Sequence, residues 1–248
     1  MRRTVIITVA GESTRFRKSV GRDVLKCLYT ERTEKETLLF RLVALCAGFD
    51  RIIIVGGYRF HDLRSFVSCS LKDFAGKITL IENAHFSDFG SGYSLYEGLR
   101  EAARSPADEI VFSEGDLFVD AETFGKIVRS DKNIVTANSE PIEAKKSVAF
   151  YTSETGAINY IYDTNHCTLH IDRPFLAIHN SGQVWKFRDT ERLFSITDSL
   201  TEEERTGTNL VIVQKYFETL NPKEYDIMRF KKWINCNTIE DYRKALEE

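Results

Sequence analysis

Short β-branched runs alternate with helix-spaced stretches through the first half of the chain, and this alternation constrains the fold more than any other feature. Val5, Ile6, Ile7 and Val9 form the first run, short and apolar enough for a fully buried strand. Residues 34 to 47 carry Leu38, Leu39, Leu42, Val43 and Cys46 at helical spacing, and Gly48 supplies the stop. Arg51 to Val55 is the next strand, ended by Gly56-Gly57, and His61 to Leu71 the next helix. Ile78 to Ile81, Gly92 to Arg104 and Glu109 to Phe112 continue the order strand, helix, strand. The pattern predicts an α/β fold: a mainly parallel central sheet with helices on both faces. Ligands of such sheets sit beyond the carboxyl ends of the strands. Those ends are Ala10-Gly11, Gly56-Gly57, Glu82-Asn83 and Glu114-Gly115-Asp116.

The second half is less regular. Asn133 to Ala137, Ser147 to Tyr151 and Ala157 to Tyr162 read as strands, with a turn at Thr155-Gly156. Gln183 to Phe194 and Gly207 to Thr219 read as helices, and Thr201 to Arg205 is a charged run. Thr238 to Glu248 is a terminal helix: Thr238 caps it, and Glu240-Asp241 favour its first turn. No repeat or low-complexity linker divides the chain. The expectation is one domain over 1–248 whose later part forms a small irregular C-terminal lobe.

The 248 residues are 42% hydrophobic, enough for one sizeable core. A net charge of −3 gives no broad basic field, so a nucleic-acid backbone is not the expected partner. No run approaches membrane-spanning length, and the stretch after Met1-Arg2-Arg3 is too short for a signal segment, so no membrane partner is expected and the cytoplasm is the expected compartment. Cys27, Cys46, Cys69, Cys167 and Cys236 form no C-x-x-C pair, which argues against structural zinc and a disulfide framework. Cys46 reads as core, and no cysteine reads as a nucleophile.

The chemistry concentrates between Thr4 and Lys26. A strand runs into Ala10-Gly11-Glu12-Ser13-Thr14-Arg15-Phe16 and then a polar loop reaching Lys26. Small residues whose amides can wrap a phosphate chain, followed by two cations, suit a polyphosphate. A strand followed by a surface turn with two solvated cations is the plainer reading of the same residues. Neither the dinucleotide fingerprint G-x-G-x-x-G nor the P-loop G-x-x-x-x-G-K-[ST] is present.

Ala10, Gly11, Thr14, Arg15, Phe16 and Lys26 resemble the signature of sugar-phosphate and choline-phosphate nucleotidyltransferases. Ser13 stands where that signature has its second glycine, and Leu25 where a proline often precedes the lysine. Glu82-Asn83 with Gly90-Ser91-Gly92-Tyr93-Ser94-Leu95 resembles the family's asparagine and its following segment. Phe112 to Leu117 resembles the strand end that presents the magnesium aspartate, and Trp233 to Tyr242 the family's tail. The branch it resembles is the choline-phosphate cytidylyltransferase type of bacterial cell-surface polysaccharide synthesis.

The resemblance implies a Rossmann-like nucleotidyltransferase fold, with a nucleotide-binding half over 1–130 and an acceptor-binding half over 131–248. It implies transfer of a nucleotidyl group from an NTP, most often CTP, to a small phosphorylated head group such as phosphocholine, with release of pyrophosphate and no obligate protein partner. Arg15 and Lys26 are then catalytic. Ala10, Gly11, Glu12, Ser13, Thr14, Asn83, Ser91, Gly92 and Ser94 bind nucleotide, Asp116 and Asn237 hold Mg²⁺, and Trp233 meets the acceptor. On their own, Asn83, Ser91 and Ser94 are equally readable as helix caps, and Trp185 and Trp233 read more readily as core than as ligand contacts. Asn237 departs from the family, which has an aspartate there; an amide oxygen can ligate Mg²⁺ but brings no charge. Glu114 or Asp241 could replace the missing carboxylate. A sugar-1-phosphate nucleotidyltransferase and a non-catalytic nucleotide-binding protein remain alternatives.

Overall fold

A computed structural model describes residues 1–161 and 168–247. Its strands are β1 (Arg3–Val9), β2 (Arg51–Gly56), β3 (Ile78–Glu82), β4 (Glu109–Glu114), β5 (Leu117–Val119), β6 (Asn133–Asn138), β7 (Ala149–Ser153), β8 (Ile158–Ile161), β9 (Phe175–Phe187), β10 (Tyr225–Arg229) and β11 (Trp233–Asn235). Its helices are α1 (Thr14–Val20), α2 (Leu38–Leu45), α3 (Phe60–Ser70), α4 (Ser91–Ala103), α5 (Ala121–Arg129), α6 (Thr190–Asp198), α7 (Glu202–Thr206), α8 (Leu210–Glu218) and α9 (Ile239–Leu246).

The central sheet runs β10-β6-β9-β4-β1-β2-β3. β1 pairs parallel with β2 and β4, and β2 with β3. β6 and β10 are parallel to each other, and β9 lies antiparallel between β4 and β6. β7 and β8 branch from the outer part of β9, and β5 pairs with β11 in a separate ribbon. Residues beyond 131 therefore add strands to the sheet that the first half begins.

The period of two along the strands divides the core. Val5, Ile7, Val9, Ile52 and Ile54 face one side, with Leu39, Leu42 and Val43 of α2, Leu63 of α3 and Phe124 and Ile127 of α5. Ile6, Ile53, Val55 and Phe112 face the other, with Leu95 and Leu99 of α4, Leu193 of α6 and Ile212 and Val213 of α8. A strand covered on both faces needs apolar residues at every position, which the runs supply. This is the mainly parallel, doubly covered α/β architecture expected.

Two local expectations are corrected. Gln183 to Phe194 is not one helix. Its first part is the end of β9, and α6 begins only after Asp189, whose side chain accepts the Arg192 amide at 2.9 Å. Val184 and Trp185 enter opposite cores. Lys186 is fully buried and donates to the carbonyls of Val128 and Ser130 at 2.9 and 2.7 Å. A lysine inside an apolar run hides a central strand from periodicity. The polar loop expected up to Lys26 contains a seven-residue helix, α1, entered through Ser13 in the left-handed region at φ 57° and left through Gly21 at φ 70°. The strand expected over Ala157 to Tyr162 is β8. Tyr162, like Cys167, lies outside the described residues. β5, α5, β10 and β11 were not expected.

A third apolar cluster brings the chain's ends together. Phe16 of α1, Tyr29, and Ile239 and Tyr242 of α9 are buried against each other. Tyr29 stands edge-on to Phe16 and Tyr242, with ring centroids 5.3 and 5.1 Å apart. The Ser19 hydroxyl accepts the Ile239 amide at 2.9 Å. Asp241 serves as the third residue of the α9 capping box, so its carboxylate is committed to the helix start.

Candidate active site

A cavity of about 780 Å³ opens at the carboxyl ends of β1 and β4, where an α/β sheet places its ligands. Ala10, Gly11, Ser13, Arg15 and Lys26 line it, as do Asn83, Ser91 and Ser94, and Asp116 and Asn237. The early glycine-arginine turn and the carboxylate at 116 thus face one space. Gly11 has nothing within 4 Å of where a Cβ would stand, so backbone lies open to the cavity. Ser13 keeps a glycine-like conformation, and its hydroxyl accepts the Lys26 amide at 3.3 Å. Gly115 has no such latitude: a Cβ there would lie 2.2 Å from Val9 Cγ1. That close approach seats the end of β4 against β1.

Lys26 Nζ lies 2.8 Å from Asp116 Oδ2 and 3.5 Å from Asn237 Oδ1. The tail reaches this place because Asn235 pairs with Leu117 across the β5–β11 ribbon and the Cys236 amide donates to the Asp116 carbonyl at 2.9 Å. Asp116 Oδ1 is buried with no hydrogen-bond partner. A carboxylate with an orphaned oxygen and an amide oxygen, both residues lining one cavity and sharing Lys26, are a hard-oxygen donor set that fits Mg²⁺, which takes one or two carboxylates and completes its shell from substrate and water. Among the described residues no group of three or more His, Cys, Asp or Glu converges as a metal cage.

Glu114 enters the same cavity two residues earlier. Its Oε1 accepts from Asn209 Nδ2 and its Oε2 from Gln183 Nε2, both at 2.8 Å. Burial, and after it the charge of Asp116, pushes this carboxyl up to about 7, against the opposing pull of Asn209 and Lys26. Gln183 Oε1 accepts from Asn235 Nδ2 at 3.2 Å, and Asn235 Oδ1 from Asn237 Nδ2 at 2.9 Å. Cys27, in the cavity wall, is buried, and burial pushes its thiol up to about 12, which leaves no thiolate for nucleophilic work.

On the other wall Asn83 is buried, donates to Ser94 Oγ at 2.9 Å and accepts the His85 amide at 2.8 Å. Ser91 and Ser94 do not cap α4, whose cap is Gly90; Ser91 Oγ accepts the Asn209 amide at 3.2 Å. Phe86 and Phe89 also line this wall, and His85 stacks on Phe89 at 4.7 Å.

Not every expected residue arrives. Glu12 and Thr14 are exposed outside the lining, and Gly92 packs against the carbonyls of Gly207 and Thr208. Trp233, expected to meet the acceptor, lies outside the lining: its indole donates to the Gly182 carbonyl at 2.8 Å and its ring packs on the core. Gln183, Asn209 and Asn235 were missed, as were Lys145 and Lys146 in the lining. The Lys-Lys pair was the one signal available in the sequence.

Solved structures share this architecture across nearly the whole chain. An inositol-1-phosphate CTP transferase from T. maritima matches with TM-score 0.69 and 18% identity, covering 99% of this chain and 96% of that one. A Bacillus anthracis protein described as a glucose-1-phosphate thymidylyltransferase matches with TM-score 0.69 and 16% identity, covering 98% and 93%. A CTP:phosphocholine cytidylyltransferase from Streptococcus pneumoniae matches with TM-score 0.64 and 16% identity, covering 100% and 99%. The fold is that of the nucleotidyltransferases. Within it, the chain belongs to the family described as Domain of unknown function (DUF6564), whose match spans residues 22–248. No curated protein matches it in sequence. No helix among the described residues is long and apolar enough to cross a membrane.

Proposed function

We propose that this protein is a Mg²⁺-dependent cytoplasmic nucleotidyltransferase that takes CTP and a small phosphorylated head group such as phosphocholine and releases pyrophosphate. The observation that carries the reading is the convergence of Gly11, Arg15, Lys26 and Asp116 on one cavity, with Lys26 and Asp116 in contact at 2.8 Å. In the reaction a phosphate oxygen of the acceptor forms a bond to the α-phosphorus, and the bond from that phosphorus to the β-phosphate bridging oxygen breaks. The protein's task is to hold two anions in line and neutralise the developing charge. Arg15 binds the β- and γ-phosphates. Lys26 stands between the α-phosphate and the incoming phosphate. The backbone of Gly11 and Ser13, which line the cavity, completes the cradle, and the wall from Asn83 to Ser94 takes the base.

Asp116 Oδ1 and Asn237 Oδ1 would hold Mg²⁺. Bound there, the ion would neutralise phosphate charge. The test is pyrophosphate release with each of four NTPs against a panel of phosphorylated acceptors, with and without Mg²⁺. Release with CTP and a small head group supports the reading. Preference for a sugar-1-phosphate moves it to the sugar branch. Asn237 favours one further reading, a nucleotide-binding protein without turnover, since the amide leaves the metal site one charge short. NTP binding with no release under any acceptor would establish that one.

A further inference from the structure

Glu114 is out of place in a cavity built for phosphates. Arg15, Lys26, Lys145 and Lys146 line that cavity, and a carboxylate among them repels the polyphosphate they attract. Asp116 has Lys26 at 2.8 Å, and the buried Glu109 has Lys186 at 2.9 Å. Glu114 has no ion-pair partner among the described residues. Its contacts are two neutral amides, from Asn209 and Gln183. A carboxylate presents about four acceptor positions, so each oxygen keeps capacity for another donor.

The amides around it are ordered. Lys26 can only donate, so Asn237 turns its oxygen to Lys26 and its amino group to Asn235, at 3.5 and 2.9 Å. Asn235 donates to Gln183 at 3.2 Å, and Gln183 donates to Glu114 at 2.8 Å. Glu114 accepts from Gln183 at the other end, so both ends of the chain carry the same polarity. Three amide dipoles therefore align head to tail from the Lys26 ammonium to the Glu114 carboxylate. An aspartate at 237 could not pass a donor onward. The amide at 237 and the carboxylate at 114 are two ends of one arrangement.

Gln183 is held at backbone strain to take part. It sits at φ 54°, unusual for a non-glycine residue within a strand. There β9 bulges: the register with β6 passes from Val135–Trp185 to Ala137–Ser181. Thr136 Oγ1 secures the bulge, donating to the Val184 carbonyl at 2.6 Å and accepting its amide at 3.1 Å.

We infer that Glu114 is the specificity-determining residue of this site, receiving a primary ammonium group on the phosphorylated acceptor. The inference rests on the transferase reading above and narrows its acceptor to aminoalkyl or amino-sugar phosphates. Glu114 takes its partners from β9 and the head of α8, in the second half of the chain, and Val148, Ile161 and Leu210 line the cavity beside them. A quaternary ammonium seeks aromatic faces. The aromatic lining among the described residues is Phe86 and Phe89, both on the Asn83 wall. A primary ammonium has three N–H donors, and the acceptor position left on each Glu114 oxygen can take two of them.

The test compares phosphoethanolamine, phosphocholine and ethylene glycol phosphate as acceptors at saturating CTP and Mg²⁺, in the native protein and in Glu114→Gln. The native protein is expected to favour phosphoethanolamine by about tenfold or more in kcat/KM, the scale of one hydrogen bond to a charged group. Glu114→Gln is expected to erase that ratio, chiefly through KM. A ratio taken within one preparation is insensitive to partial unfolding. Calorimetric binding of the same acceptors with CTP present, without Mg²⁺, reads the preference apart from turnover. Equal use of the three acceptors by the native protein would overturn the inference and leave the transferase intact. So would a ratio that survives in Glu114→Gln, or a change confined to the KM for CTP. Absence of pyrophosphate release together with absence of CTP binding would overturn both readings.

Discussion

Lys26 and Asp116 meet at 2.8 Å although 90 residues of chain separate them. The contact joins the loop after β1 to the loop after β4, where the transferase reading places the α-phosphate and the metal. Lys26→Ala and Asp116→Ala are each expected to lower pyrophosphate release by about 10²–10³, the usual cost of removing one preorganised charge. The side chains are 13% and 23% exposed, so solvent screens the pair. The stability loss should lie nearer the ~1 kcal/mol of a surface pair than the ~3–5 kcal/mol of a buried one. Turnover and urea denaturation on the same preparations check both statements. Wild-type turnover in either variant would remove that residue from the mechanism.

Asn237→Asp supplies the carboxylate that the resemblance to nucleotidyltransferases implies, yet it is expected to harm this chain. A carboxylate at 237 turns Asn235 around to donate to it. Asn235 Oδ1 then takes the Gln183 amino group, and Gln183 Oε1 is left facing Glu114 Oε2. Two acceptors meet where one hydrogen bond of 2.8 Å stood. A half-buried unsatisfied group costs about 1–3 kcal/mol. The expected outcome is a lower melting temperature, partly recovered by adding Glu114→Gln, whose amino group satisfies the reversed chain. A double-mutant cycle in thermal denaturation measures the coupling.

The parallel half of the fold was legible because its strands are buried on both faces and so carry uninterrupted apolar runs. β9 was not: Lys186 interrupts its run, and only the fold reveals that Glu109 and two carbonyls satisfy that lysine. β5 and β11 have three residues each, too few for any period. In the cavity, Gly11, Arg15 and Asp116 announced themselves through local order at strand ends. Gln183, Asn209 and Asn235 are single amides on three separate elements, and nothing in their neighbours marks them. Trp233 misled because a tryptophan beside a motif reads the same whether it meets a ligand or, as here, the Gly182 carbonyl.

Cysteine labelling separates the walls of the cavity from the surface. Cys27, Cys46 and Cys236 are buried, and burial raises all three thiols, that of Cys27 to about 12. At pH 8 essentially none of that thiol is ionised. Cys69 is exposed. Among these four, iodoacetamide at pH 8 is expected to modify Cys69 in the native protein and the others only after unfolding. Peptide mass spectrometry reads the result. Rapid native labelling of Cys27 would show that the cavity wall opens far more than the packing described here allows.

Glu109 and Lys186 lock β9 to β4, and breaking that lock should cost more stability than any change in the cavity. Lys186 Nζ lies 2.9 Å from Glu109 Oε2, with both side chains at most 1% exposed. Arg3 Nε adds a second contact, 2.7 Å from Glu109 Oε1. Glu109→Ala strands a buried ammonium and is expected to cost about 3–5 kcal/mol. Burial already holds Lys186 below its ordinary value, while Glu109 pulls it back up. Between that lowered value and the ordinary one, the unfolded chain binds more protons than the folded chain, so this residue's contribution to stability grows as pH rises. Removing Glu109 widens the window downward. Urea denaturation should therefore show the deficit of Glu109→Ala shrinking from pH 7 to pH 9.5, and adding Lys186→Met should flatten that dependence. A deficit independent of pH would mean that Lys186 keeps its proton in the folded variant as it does in the native protein, because solvent reaches it.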